Sequence, residues 1–344
     1  MAVPSSTVQT FGMIGVREQL SDVITNIMPS ETPVFSMAKK LKIGSRSPEW
    51  QRDVDADPVP TNAVVEGDDI GNDAGSQPER LKNYVQLFDK VVQVSSTANS
   101  VNTAGRANEM KFQMAKKGRE LKRDIEARIN GNYSSVVGNS STAGQLAGIE
   151  SYLTSNTSRG SGGADGGFDS GTGLITLATD GTTRTITEDM FKDVISDCWT
   201  NGGEPSQIIC GPKMKQKISS TFTGIAAQQN DVNGQNKVII YGAADVYKSD
   251  FGTHKIMPTR LGCYGTGRSD RVYRPSSSAE LEACNRSVLV LTPSTWSVAF
   301  LQPIKQEPLA KNGHSERRMI YAELTLECSE ERANGVVADV KTTA

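Results

Sequence analysis

The sequence predicts an α+β fold in which helix and strand are segregated along the chain. Three observations carry this. A long amphipathic helix spans 104–130, a cleanly alternating strand spans 316–328, and a mixed stretch of short helices and strands lies between them. The chain has 344 residues, long enough for one large or two intimate domains. Hydrophobic residues make up 36% and charged residues 22%, and 32 glycines enlarge the small-residue share, so a folded but loop-rich chain is expected.

Taken in order, Leu20, Val23, Ile24 and Ile27 recur at helical spacing in 17–28, and Pro29 ends that helix. A second short helix follows, capped by Ser30 or Thr32 with Pro33 near its first position. Residues 47–76 then hold three prolines, several glycines and many acids, bracketed by strand-like runs at Glu49–Asp53 and Leu81–Ser95. Two strands around a long polar middle describe an extended hairpin arm, and a loop of that length is usually functional.

In 104–130, Ala107, Met110, Met114, Leu121, Ile125 and Ile129 form one apolar face, with Gly131 closing the helix. The stretch SNTSRGSGGADGGFDSGTG within 132–173 holds seven glycines and reads as a mobile surface loop. Thr187 is placed to cap a helix ending near Gly202, with Glu188 and Asp189 in its first turn. Gln207–Cys210 reads as a buried strand and Pro212 opens a helix ending at Gly224. Strands follow at Val238–Tyr241, Asp245–Ser249, His254–Pro258, Val288–Thr292 and Trp296–Leu301. In 316–328, Arg318, Ile320, Ala322, Leu324, Leu326 and Cys328 share a face, and Gly335–Lys341 adds a last strand.

Motifs for chemistry are missing. No apolar run approaches the ~20 residues of a membrane-spanning helix, and the first sixteen residues carry no base and no secretory pattern. The five cysteines, Cys198, Cys210, Cys263, Cys284 and Cys328, are widely spaced without a C-x-x-C pair, which argues against a zinc site or a disulfide framework. The two histidines, His254 and His314, read as structural or solvent-exposed, and no nucleophile elbow or phosphate loop accompanies them. Asp53, Asp55 and Asp57 begin like a calcium loop, but Pro58 stands where glycine is needed and Val64 where the bidentate glutamate belongs. No catalytic group, cofactor or metal is expected.

What remains is charge pattern. The 37 bases and 39 acids sum to -2, so no global polycation marks a nucleic-acid binder. Locally, Asp53, Asp55, Asp57, Glu66, Asp68, Asp69, Asp73 and Glu79 lie in 53–79 without one Lys or Arg. The long helix carries Arg106, Lys111, Lys116, Lys117, Arg119, Lys122, Arg123 and Arg128 against four acids. An acidic arm on one subunit and a basic helix face on its neighbour are complementary, which sets orientation and register more than affinity. The expected inter-subunit contacts are Asp53, Asp55, Asp57, Glu66, Asp68 and Asp69 against Lys116, Lys117, Arg119, Lys122 and Arg123.

The segments VREQLSDVITNIMPSETPVFSMAKK (16–40), PEWQRD (48–53), GLITLATDGTTRTITEDMF (173–191) and RRMIYAELTLECSEERANGVV (317–337) resemble the major capsid proteins of tailed bacteriophages, whose shared architecture is the Hong Kong 97 capsid fold. The resemblance implies an N-terminal arm over 1–45, an extended loop over 46–86 and a spine helix over 104–130. It further implies a peripheral domain from 87–184 and 301–344, and an axial domain from 185–300 around five- and six-fold positions. Function would then be self-assembly, as hexamers and pentamers, into an icosahedral shell made in the host cytoplasm. Portal, scaffolding and decoration proteins and non-specifically contacted DNA are the further partners it implies, with no membrane. The prototype shell is locked by a covalent bond from a loop lysine; here no Lys lies between Lys42 and Lys82, so a non-covalent shell is expected. Two other readings are a β-rich, adhesin-like surface-binding virion protein and a hydrolase using His254 or His314.

Overall fold

The computed structural model describes residues 31–67, 71, 75, 77–101, 108–222, 230–231, 238–239, 245–260, 285–311 and 313–342. The predicted helix over 17–28, Asp68, Asp69, Asp73, Cys263 and Cys284 lie outside them. The first third of the chain runs α1 (Pro33–Met37), β1 (Lys39–Lys42), β2 (Glu49–Arg52), β3 (Glu79–Lys82), β4 (Gln86–Ser95), α2 (Ser96–Ser100) and α3 (Glu109–Asn130). Then come α4 (Ile149–Tyr152), β5 (Thr157–Ser158), β6 (Gly167–Asp169), β7 (Leu174–Thr176), β8 (Arg184–Thr185), α5 (Glu188–Thr200), β9 (Gln207–Cys210) and α6 (Pro212–Phe222). The remainder is β10 (Asn230–Asp231), β11 (Val238–Ile239), β12 (Val246–Ser249), β13 (Gly252–Pro258), β14 (Val288–Leu291), β15 (Trp296–Leu309), β16 (Ser315–Cys328), β17 (Gly335–Val337) and β18 (Val340–Lys341).

Strands from the two ends of the chain build a four-stranded sheet in the order β1-β15-β16-β4. The alternation of 316–328 turns Ile320, Ala322, Leu324, Leu326 and Cys328 onto one face, and α3 lies across that face. Met110, Met114, Leu121, Ile125 and Ile129 supply the helix side of this core. Burying each such aliphatic side chain contributes about 1.5–3 kcal/mol. At 1.5 Å per residue the 22-residue helix is about 33 Å long. Its N-terminus is capped by Asn108, whose side chain accepts from the Lys111 amide. As expected, Gly131 ends the helix, in an extended conformation. A Cβ there would stand 2.2 Å from the Tyr133 ring, so close packing is what requires glycine.

Strand β15 runs well past the predicted Leu301, to Leu309. Register shifts between Phe300 and Lys305 absorb the irregularity around Pro303. The predicted strand 81–95 is divided. β3 pairs with β2, Trp50 opposite Leu81, while β4 pairs with β16 in the large sheet. Between them sits Asn83, fully buried; its Nδ2 donates to the Tyr152 hydroxyl (2.8 Å) and the Leu326 carbonyl (2.9 Å), and its Oδ1 accepts from the Tyr84 and Ala147 amides. A polar side chain with four partners holds the corner where the hairpin leaves the sheet.

The second layer is a six-stranded sheet in the order β12-β13-β9-β14-β17-β5. A separate core forms around it from Phe191, Val194, Ile195, Cys198, Ile208, Met214, Ile218, Ile256, Val288, Val290 and Val337. Thr187 stands at the N-cap of α5 but its side chain makes no capping bond. The C-terminal run serves both sheets, 315–328 the first and 335–337 the second.

The glycine-rich stretch is not the loose loop that composition suggests. It holds β5 and β6, the latter paired with β7, and its glycines are points of close approach. A Cβ on Gly160 would fall 2.0 Å from the Thr182 carbonyl oxygen. Here the buried Asp339, at φ 57°, accepts from the Gly160 and Gly181 amides and from Arg286 Nε and Nη2 (2.8 and 2.6 Å). Composition alone does not separate flexible glycine from glycine that lets backbones touch.

Candidate assembly interface

Three features frame the candidate interface: an arm docked on α3, a loop pinned at its base and a basic helix face. The arm is fixed by Glu126, a buried carboxylate on α3. Its Oε1 accepts from the Val34 amide (2.9 Å) and the Asn130 side chain (3.0 Å), and its Oε2 from the Phe35 amide (2.7 Å). Burial pushes the Glu126 carboxyl up, against the opposing pull of those donors and of Lys40. Glu126 is one of the four acids counted on the helix, and it holds the first turn of α1. Lys40 donates to the Phe35 carbonyl and sits 3.8 Å over the Phe35 ring.

The hairpin is pinned at its base. Trp50 Nε1 donates to the Cys328 carbonyl (2.7 Å), and Arg52 meets Glu79 at 2.5 Å with Glu330 and Glu331 at 3.5 and 3.6 Å. Beyond Arg52 every described residue of 53–67 is exposed, including Asp53, Asp55, Asp57 and Glu66. The same stretch exposes Val54 (41%), Val59 (65%), Val64 (71%) and Val65 (74%). Four valines thus stand exposed beside four acids in one stretch.

On α3 the exposed stripe is Lys111, Ala115, Arg119 and Lys122. Lys116 and Arg123 flank it, half-buried, and Lys117 is spent within the chain on Glu120 (2.6 Å). Asp124 is likewise engaged, by Lys90 of β4 at 2.5 Å. Arg128 does not belong to the basic face: it donates to the Leu146 and Ser134 carbonyls and stacks 4.3 Å from Tyr133, and burial brings its guanidinium down to about 10. Within one chain the acidic loop and the basic stripe make no ion pair among the described residues.

His254 is buried, bonded through Nδ1 to the Pro205 carbonyl and through Nε2 to Ser249 Oγ (2.6 Å), and burial lowers its basicity. His314 is exposed on a turn. Burial pushes the Cys198 and Cys210 thiols up to about 12, where the nucleophilic thiolate is scarce. Among the described residues no group of three or more His, Cys, Asp and Glu is placed to hold a metal ion, and no helix is long and apolar enough to cross a membrane.

A spine helix on a long-stranded sheet, a second mixed sheet, a short helix docked on the spine and an exposed hairpin loop together define a Hong Kong 97-like capsid protein. The fold is shared with solved capsids at low sequence identity. It matches the cyanophage A-1(L) capsid with a TM-score of 0.62 at 11% identity, covering 94% of this chain and 97% of that one. It matches a chain of Mycobacterium phage Ogopogo with a TM-score of 0.57 at 10% identity, covering 97% and 99%. In sequence it is similar to the major capsid protein of Escherichia phage Phieco32, 26% identical over 366 residues that cover 98% of this chain and 97% of the relative. Residues 4–341 match the SU10 major capsid protein family, and the chain belongs to that family. It is a structural protein of a phage virion and forms the icosahedral shell.

Proposed function

We propose that the shell is built through the hairpin loop and the basic spine face, copy against copy, without covalent bonds and without catalysis. The observation that carries this reading is the exposed loop 53–67, which displays four acids and four valines that its own chain leaves uncovered. The α3 stripe supplies the opposite charge. In this reading the four-stranded sheet and spine are the peripheral domain, the six-stranded sheet is the core of the axial domain at five- and six-fold positions, and assembly takes place in the host cytoplasm. Packaged DNA meets the shell only through weak, salt-dependent phosphate contacts.

Reversing Lys116, Lys117 and Arg119 to Glu together tests the pairing. Among the described residues the one ion pair lost is Lys117 with Glu120, a half-buried i,i+3 pair of a few tenths of a kcal/mol. The triple variant is therefore expected to keep its circular dichroism spectrum and to give no closed particles by negative-stain microscopy. Normal particles from it would remove the spine face from the interface. The non-covalent character has its own test. Mature particles boiled in detergent are expected to run as a single monomer band, and a ladder of linked oligomers would contradict it.

A further inference from the structure

The four-stranded sheet has two edges, and they are unlike. β4 offers ten residues, whereas β1 offers only Lys39–Lys42, all four exposed. β1 pairs with β15 on one side; on its other side none of its backbone groups has a backbone partner among the described residues. Lysine on an edge strand is the usual guard against indiscriminate strand pairing. A lysine-guarded edge is not closed to every strand, however; it selects for one that brings acids.

We propose that the free edge of β1 receives the Asp53–Asp57 stretch of a second copy as an added strand. This rests on the shell reading above and names where the loop docks. Asp53-Val-Asp-Ala-Asp57 alternates with the period of a strand, placing three carboxylates on one face and Val54 with Ala56 on the other. β1 has the matching alternation, Lys40 and Lys42 on one face and Lys39 with Leu41 on the other. Side by side, the carboxylates lie next to Lys42 and Val54 lies next to Leu41, each of the two apolar side chains being 41% exposed in the single chain. Lys39 and Lys42 make no ion pair among the described residues, so their charge is uncommitted, unlike that of Lys40. The surface is also continuous with the spine stripe. α1 bridges β1 and Glu126, one turn beyond Lys122, so the remainder of the loop continues toward α3. Fourteen extended residues from Asp53 to Glu66 reach up to about 46 Å, longer than the helix.

The test is a cysteine pair, Leu41→Cys with Val54→Cys, in the full chain assembled into particles and exposed to oxidised glutathione. Covalent multimers on a non-reducing gel are expected, lost with either single cysteine and absent from a Leu41→Cys with Val91→Cys control. Adding Lys42→Glu is expected to lower the cross-linked fraction several-fold. Closed particles without cross-linked multimers would overturn the β1 contact and leave the shell reading standing. An unmodified chain that forms no closed particle would overturn the shell reading, and this inference with it.

Discussion

Glu126→Ala is expected to lower stability by about 2–4 kcal/mol and to release the arm before the body of the protein unfolds. The carboxylate serves three donors at once, the Val34 and Phe35 amides and Asn130 Nδ2. Each buried donor left unsatisfied costs about 1–3 kcal/mol, reduced where water replaces the lost oxygen. Against this stands relief of the carboxylate's own burial, the dominant influence on its titration. Three orphaned donors outweigh one relieved charge for alanine. For Glu126→Gln the balance is closer, because one oxygen remains and the charge is gone, so less than half the loss is expected. Faster hydrogen exchange at the Val34 and Phe35 amides, ahead of any change in α3, is the signature of local release. Unchanged exchange there would show that the arm is held by other contacts.

The same residue gives a pH dependence of definite sign. A carboxyl raised in the folded state binds protons more tightly there than in the unfolded chain. Its contribution is thus fully present below the ordinary value of 4.5 and is lost as pH rises through the higher folded value. Removing the carboxyl flattens that part of the stability curve, which a comparison of melting temperatures from pH 4.5 upward reads directly.

Asp339→Ala has a still larger expected cost, about 3–5 kcal/mol, since removing one partner of a buried pair strands the other charge. Arg286 would be left with Asp180, at 3.5 Å, and the Gly160 and Gly181 amides would lose their acceptor. Asn at 339 keeps the shape and tolerates the positive φ, so Asp339→Asn is expected to lose roughly half as much. Urea midpoints of the two variants measure the difference at constant slope. Equal losses would mean that the charge, which both variants lack, and not the shape that Asn keeps, is what this site requires.

The parts of this fold written in local sequence were legible. The spacing of Met110 to Ile129 and the alternation through Cys328 are short-range patterns, and both elements form. Features made by distant partners were not legible. Asn83 looks like a flaw in a strand until Tyr152, Ala147 and Leu326 surround it. Glycines 160 and 181 look like slack until Asp339, far along the chain, gathers their amides. The candidate interface divides in the same way. Its acids and bases could be counted, but counting could not tell that Lys117, Asp124 and Arg128 are engaged within the chain while Lys111, Arg119 and Lys122 face outward. The exposed valines among the acids carried a signal that charge alone overlooks.

The order of strands in the first sheet has a consequence for the chain as it is made. β1 and β4 emerge from the ribosome early, yet the strands that join them, β15 and β16, come more than 200 residues later. At ~5–20 residues per second, the two early strands wait at least about ten seconds for their partners. During that interval the spine helix lacks the face it is to cover, and the arm has no finished body to which it can hold. A subunit therefore becomes competent to join a lattice only after nearly its whole length has been translated. Half-made chains are kept out of the shell by topology, because the edge strand that a neighbour would meet is not yet part of a sheet.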